Sequence, residues 1–200
     1  QVEAEMQLNF LAKHDALTGL LNATEFSRLL QRQLDKQQSL ALLVVQLNGL
    51  QVVKDQIDSS TRDQALLQLV LNLRKKLSAR ARIARLNEHQ VGLFLDDSEQ
   101  AAFALAYQLI QACQEFRFAT ADRVFQLGAH VGIAMANEAT INVRSLFHRA
   151  EDALKLAQQK GDYHVHSATY DDQRRLQSQA ERDWELRLKQ ALHNEEWMLF

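Results

Sequence analysis

From Leu40 to Leu47 a single polar residue, Gln46, interrupts an otherwise apolar run of leucine, valine and alanine. A short strand covered on both faces reads this way, so this segment belongs at the centre of a sheet with layers above and below it. Phe125, Leu127, Ala129, Val131, Ile133 and Met135 alternate strictly, which predicts one long strand over 125–135. Between them, Arg85 to Leu95 reads as strand, tight polar turn and strand. Apolar residues at helical spacing fill the gaps: Leu66, Leu69, Val70, Leu73 and Leu77 in one segment, and Ala102, Ala106, Leu109, Cys113 and Phe116 in another. A third stripe runs from Val143 to Ala157 and stops at Gly161, a helix-ending position. The expected fold class is α/β, a central mixed or antiparallel five-stranded sheet with helices on both faces.

The remaining elements are shorter. Val2, Met6, Phe10 and Leu11 suggest an incoming helix over 1–13. Thr24 is expected to cap a helix running to about Lys36, and a short helix is expected over 49–56. Phe116 to Phe118 can form a short strand, and Tyr163 to His166 an edge strand. The stretch 167–180 is polar without periodicity and reads as a linker. Glu181 to His193 then restarts an amphipathic helix, and Trp197 to Phe200 the beginning of a strand. Both ends look cut from something longer. The absence of proline has no physical account here.

Composition narrows the function. A net charge of −2 carries no electrostatic footprint for nucleic acid or an anionic membrane, and the basic run at Arg74, Lys75 and Lys76 reads as a solvated helix end. The one cysteine, Cys113, excludes an intrachain disulfide and sits in an apolar helical pattern, where a packing role is expected. No apolar run reaches the ~18 residues of a membrane span. His164 and His166 share a face of the edge strand, a spacing that can bind metal, but no third ligand is evident.

Three segments resemble one family. His14-Asp15-Ala16-Leu17-Thr18-Gly19-Leu20-Leu21-Asn22 is similar to the opening motif of GGDEF domains, the diguanylate cyclase family, with Ala23 where an arginine is usual. Ala150 to Gly161 resembles the family's late helix, A-D-x-A-L-Y-x-A-K-x-x-G, and Val131-Gly132-Ile133-Ala134 the strand before it. The resemblance implies a GGDEF fold of the nucleotide-cyclase, ferredoxin-like kind over 14–166. It follows an incoming signalling helix over 1–13. The segment after the linker, 181–200, resembles the start of an EAL phosphodiesterase domain.

The family condenses two GTP molecules into cyclic di-GMP with divalent metal. The resemblance implies where its residues should stand. The strand-end carboxylates that hold metal correspond to Gln46 and Asn48, amides without charge. Gln51 and Gln158 stand where lysines contact phosphate, and Lys54 where an asparagine reads the base. The signature turn Gly-Gly-Asp-Glu-Phe corresponds to Asn87-Glu88-His89-Gln90-Val91. Asn87 can still supply a left-handed backbone, whereas Glu88 adds bulk and charge where nucleotide belongs. The inhibitory R-x-x-D site corresponds to Ser78 and Ala81, with Arg80, Arg82 and Arg85 nearby. Asp63 matches a guanine-contacting aspartate, although an Asp in the first turn of a helix is also a good dipole partner. His89 at the turn tip reads as a solvated residue or a pH-sensitive contact.

The expectation is therefore a catalytically inactive GGDEF domain without cofactor or metal. It would act as a regulatory or scaffolding module in bacterial cyclic di-GMP signalling and couple an N-terminal input to its own EAL domain or to another signalling protein. GTP binding and direct nucleic-acid contact are not expected, and a homodimer stays open. The location implied is cytoplasmic, alone or as the cytoplasmic part of a membrane-anchored protein. Two alternatives are a GTP-binding domain that activates the EAL phosphodiesterase without turnover, and an adaptor in RNA turnover.

Overall fold

The computed structural model describes residues 2–36, 39–49, 59–77, 81–119, 124–136, 142–161, 163–168, 181–187 and 189–190. The central run forms β2 (Ala41–Asn48), flanked on one side by β4 (Gln90–Leu95) and on the other by β7 (Gly128–Met135), both antiparallel to it. β3 (Arg82–Arg85) pairs with β4, and β1 (Leu21–Asn22) lies parallel to β3. β8 (Val165–Ser167) closes the far edge, parallel to β7. The sheet order is β1-β3-β4-β2-β7-β8. It has six strands where five were expected, the addition being the two-residue β1, too short to carry a hydrophobic period.

Helices cover both faces because the strands alternate their side chains. Leu43, Val45, Leu93, Val131 and Ile133 face α3 (Ser59–Lys76) and α4 (Glu99–Glu115), and pack with Leu66, Leu69, Val70 and Leu109. On the other face, Leu42, Val44, Phe94 and Ala134 meet α2 (Ala23–Leu34) and α5 (Val143–Gln159) through Phe26, Leu30, Leu146 and Ala150. Every residue from Leu40 to Val45 is at most 2% exposed, as a strand covered twice should be. Each such leucine contributes about 1.5–3 kcal/mol of burial. Gly132 marks the tightest approach: a Cβ there would lie 2.1 Å from the Ala150 carbonyl and 2.4 Å from the Leu154 nitrogen. α5 therefore rests directly on β7.

Several boundaries differ from expectation. Asn22, not Thr24, caps α2: its Oδ1 accepts from the Glu25 N–H at 2.9 Å. The same side chain donates to the Ala12 carbonyl at 3.0 Å, tying it to α1 (Val2–Lys13), a helix exposed along its whole length. The alternating segment 125–135 is two strands, not one. β6 (Val124–Gln126) forms a separate ribbon with β5 (Arg117–Ala119), and the chain breaks at the buried Leu127 before β7. α5 ends as its glycine predicted, with Gly161 at φ +106 just past the Lys160 cap. Residues 181–187 are helical, with Trp184 and Leu186 exposed. The expected helix over 49–56, most of the linker and the strand at 197–200 lie outside the described residues. Among the described residues no helix is long and apolar enough to cross a membrane.

Candidate functional site

The face of the sheet that carries Leu42 and Val44 continues along β2 to Gln46 and Asn48, because strand side chains repeat every second residue. Gln46 is the register partner of Gln90 on β4 and of His130 on β7. Three strand ends thus present a polar row where the apolar core stops.

The row is internally bonded. Gln90 Nε2 donates to Gln46 Oε1 at 3.0 Å. Gln90 Oε1 accepts from Asn87 Nδ2 at 3.0 Å. Asn48 Nδ2 lies 2.6 Å from His130 Nδ1, and His130 Nε2 lies 2.7 Å from the Gly161 carbonyl. A carbonyl only accepts, so Nε2 carries the proton, and in the neutral ring Nδ1 accepts from Asn48. His130 is 4% exposed, and the sequence pattern alone does not mark it as a site residue. Its even spacing from the other polar strand-end positions becomes a signal only once the β2–β7 register is known.

The signature turn is held by side chains rather than by glycine freedom. Leu86 and Asn87 N–H groups both donate to the Gln90 carbonyl, at 2.9 and 3.3 Å. Asn87 Oδ1 accepts from the His89 N–H at 2.9 Å, a side-chain turn of the Asx kind. Asn87 does not adopt the left-handed backbone that its sequence allowed: Tyr163 is the only described non-glycine residue with positive φ. The expectation of a solvated His89 is also corrected. Its side chain is 19% exposed, and its Nδ1 is buried with no hydrogen-bond partner. The His89 carbonyl accepts from the Leu47 N–H at 2.8 Å, fixing the turn to the end of β2. Glu88 stays exposed, with Oε2 3.9 Å from His89 Nε2.

Arg85 anchors the turn to the opening motif. Its guanidinium lies 3.3 Å from both Asp15 carboxylate oxygens, and its Nε donates to the Asn87 carbonyl at 3.4 Å. Asp15 also accepts from the Thr18 N–H at 2.8 Å and the Thr18 hydroxyl at 2.7 Å. Burial alone would push the Asp15 carboxyl up. The two Thr18 bonds and the Arg85 charge outweigh it and hold the group below the usual carboxylate range.

The other expected positions that are described do not join this row. Ala81 is half-buried just before β3; its partner Ser78, with Arg80, Gln51 and Lys54, lies outside the described residues. Gln158 is exposed on the last turn of α5, and Arg82 is exposed on β3. Asp63 is half-buried, and because α3 begins at Ser59 it sits in the second turn, where the helix-dipole account loses its force. His164 Nδ1 is turned to the Gly161 carbonyl and His166 Nδ1 to Lys160 Nζ, so the two do not converge. Burial pushes the Cys113 thiol up to about 12, in keeping with a packing role.

A Mg²⁺-type ion wants several anionic oxygens. Gln46, Asn48 and Gln90 offer none, and two of the three amides are already bonded to each other. Among the described residues no group of three or more His, Cys, Asp or Glu gathers to hold a metal. The donor set does not fit the metal that the resemblance implies.

Comparison with known proteins places the fold. The profile of the family "Diguanylate cyclase, GGDEF domain" matches residues 12–164. The chain is 25% identical over 195 residues to the cyclic di-GMP phosphodiesterase PdeB of Shewanella oneidensis, covering 97% of this chain and 23% of that protein. It is 31% identical over 137 residues to the probable diguanylate cyclase DgcE of Escherichia coli, covering 66% of this chain and 12% of that one. The chain thus spans under a quarter of the length of these curated relatives. Among solved structures, the GGDEF domain of TpbB from Pseudomonas aeruginosa superposes with a TM-score of 0.71 at 24% identity, covering 82% of this chain and 99% of that one. With an opening motif, a hairpin turn and a late helix in matching order, the chain belongs to the diguanylate cyclase GGDEF domain family.

Proposed function

We propose that this GGDEF domain performs no cyclisation and serves as a regulatory module in cyclic di-GMP signalling, coupling an N-terminal helix to a C-terminal effector domain. The observation that carries the proposal is the Gln90–Gln46 bond at 3.0 Å. Cyclisation needs a metal to neutralise the triphosphate and polarise the attacked phosphorus. At these two positions neutral amides satisfy each other instead, and the nearby carboxylate of Glu88 is exposed.

The coupling half has its own support. α1 connects to the turn through a run of contacts: Asn22 to the Ala12 carbonyl, Asp15 to Arg85, and Arg85 to the Asn87 carbonyl. The nature of the effector is favoured by PdeB, a protein described as a cyclic di-GMP phosphodiesterase. Its match covers 97% of this chain and so runs past residue 164 into the 181–200 segment that resembles an EAL domain.

The test is direct. Concentrated protein with GTP and Mg²⁺ or Mn²⁺ should yield no cyclic di-GMP by chromatography and mass spectrometry; product above that of a blank sinks the proposal. A thermal shift with GTP separates the GTP-binding alternative, because ligand at 100 Kd stabilises by about 2.7 kcal/mol. No shift at millimolar GTP removes that alternative.

A further inference from the structure

The degenerate site has an inner end that the signature motif does not touch. His130 is buried, and its ring bridges three elements: it accepts from Asn48 at the end of β2, belongs to β7, and donates to the Gly161 carbonyl between α5 and β8. The bridge thus joins the strand-end row to the loop that leads into β8. That loop is otherwise fastened by Tyr163, whose φ of 60 is uncommon for a bulky residue and whose hydroxyl reaches the Leu127 carbonyl at 3.4 Å. β8 has only three residues and sits at the sheet edge, where the Val131 N–H donates to the His164 carbonyl and the Ala168 N–H to the Ile133 carbonyl.

We infer that the Asn48–His130–Gly161 bridge is a latch through which the strand-end site sets how firmly β8, the last described strand, is held on the sheet. The imidazole can serve the Gly161 carbonyl only with its proton on Nε2, and the Asn48 N–H bonded to Nδ1 selects that tautomer. Anything that takes the Asn48 amide away, such as an anionic oxygen entering the site, leaves Nδ1 unpaired in a buried position. The ring is then free to exchange tautomers or turn, and the Gly161 carbonyl loses its tie to β7, left with His164 Nδ1 of its own loop. The inference deepens the regulatory reading by naming its internal contact, and it rests on that reading only for the role of the latch.

The test is amide hydrogen exchange and imidazole ¹⁵N chemical shifts, measured on the 200-residue chain and on Asn48→Ala, His130→Phe and the double variant. The wild-type shifts should show a protonated Nε2 and an acceptor Nδ1. Asn48→Ala should move the Nδ1 shift and speed exchange of the Ala168 amide about fivefold, the worth of one hydrogen bond. Exchange at Leu93, in β4 on the far side of β2, should stay put, and the double variant should exchange no faster at Ala168 than His130→Phe. An unmoved Ala168 in Asn48→Ala, equal acceleration at Leu93, or additive effects in the double variant would each overturn the latch. If His130→Phe does not fold, Asn48→Ala and its ¹⁵N shifts decide alone. Detection of cyclic di-GMP from GTP would instead overturn the regulatory reading and leave the exchange result untouched.

Discussion

The junction of α5 with β7 and the ends of strands β2, β4 and β7 belong to one sheet face yet follow opposite rules. At the junction, Gly132 leaves no room for a methyl group, and Phe26 lies at 0% exposure with its ring centroid 5.1 Å from Phe94 and 6.1 Å from Phe147. At the strand ends, neutral side chains bond to one another instead, Gln90 to Gln46 and Asn48 to His130. The lesson is that fold and site chemistry separate spatially. A close-packed region resists change because volume has nowhere to go. A partly exposed polar row accepts new residues provided each donor finds an acceptor.

Breaking the packed region should have the largest effect. Phe26→Ala should cost about 3–5 kcal/mol in urea denaturation, since it opens a cavity between α2, β4 and α5. Gly132→Ala should cost about 3 kcal/mol, at the upper end of overpacking, because the obstacles are backbone atoms of α5 and not a flexible side-chain tip. If Gly132→Ala proves neutral, α5 can ride off the sheet and the contrast between the two regions weakens.

The connection from the opening motif to the turn should be intermediate. Asp15→Asn keeps the shape but removes the charge paired with Arg85, and should cost about 1–2 kcal/mol at neutral pH. The pH dependence follows from the depressed Asp15 carboxyl. Its contribution is fully present above the unfolded-state value of about 3.9, and it fades as pH falls through the lower folded-state value. Wild type should therefore lose its advantage over Asp15→Asn on acidification below about pH 4, read as converging unfolding midpoints.

The smallest effect should come from the amide pair. Replacing both partners, Gln46→Leu with Gln90→Leu, should change stability by less than about 1 kcal/mol, whereas Gln46→Leu alone strands the Gln90 amide and should cost more than the double change. A double variant that unfolds would show that the polar row supports the fold after all.

The legibility of the chain follows the same division. The nearly all-apolar run at Leu40–Leu47 announces a central strand, and it is one. The stripes through Leu66–Leu73 and Val143–Ala157 are the helix faces that cover it. The break at Leu127 was not legible, because an alternating pattern continues across β6 and β7 although the chain moves from ribbon to sheet between them. Asn22 caps α2 where Thr24 is expected because both are good cap residues, and local sequence cannot rank them. The positions Gln46 and Gln90 were visible as changed residues. That they bond to each other was not, nor that His89 is half-buried.

The sequence by itself therefore determined the elements, their buried faces and the chemical type of each strand-end residue, because periodicity and residue identity are local properties. Tertiary structure alone decided which of those residues meet. Register between β2, β4 and β7 sets Gln46 beside Gln90 and brings His130 within reach of Asn48 and Gly161. A hydrogen bond depends on distances of a few tenths of an ångström between residues 31 to 82 positions apart. Only the folded sheet fixes such distances.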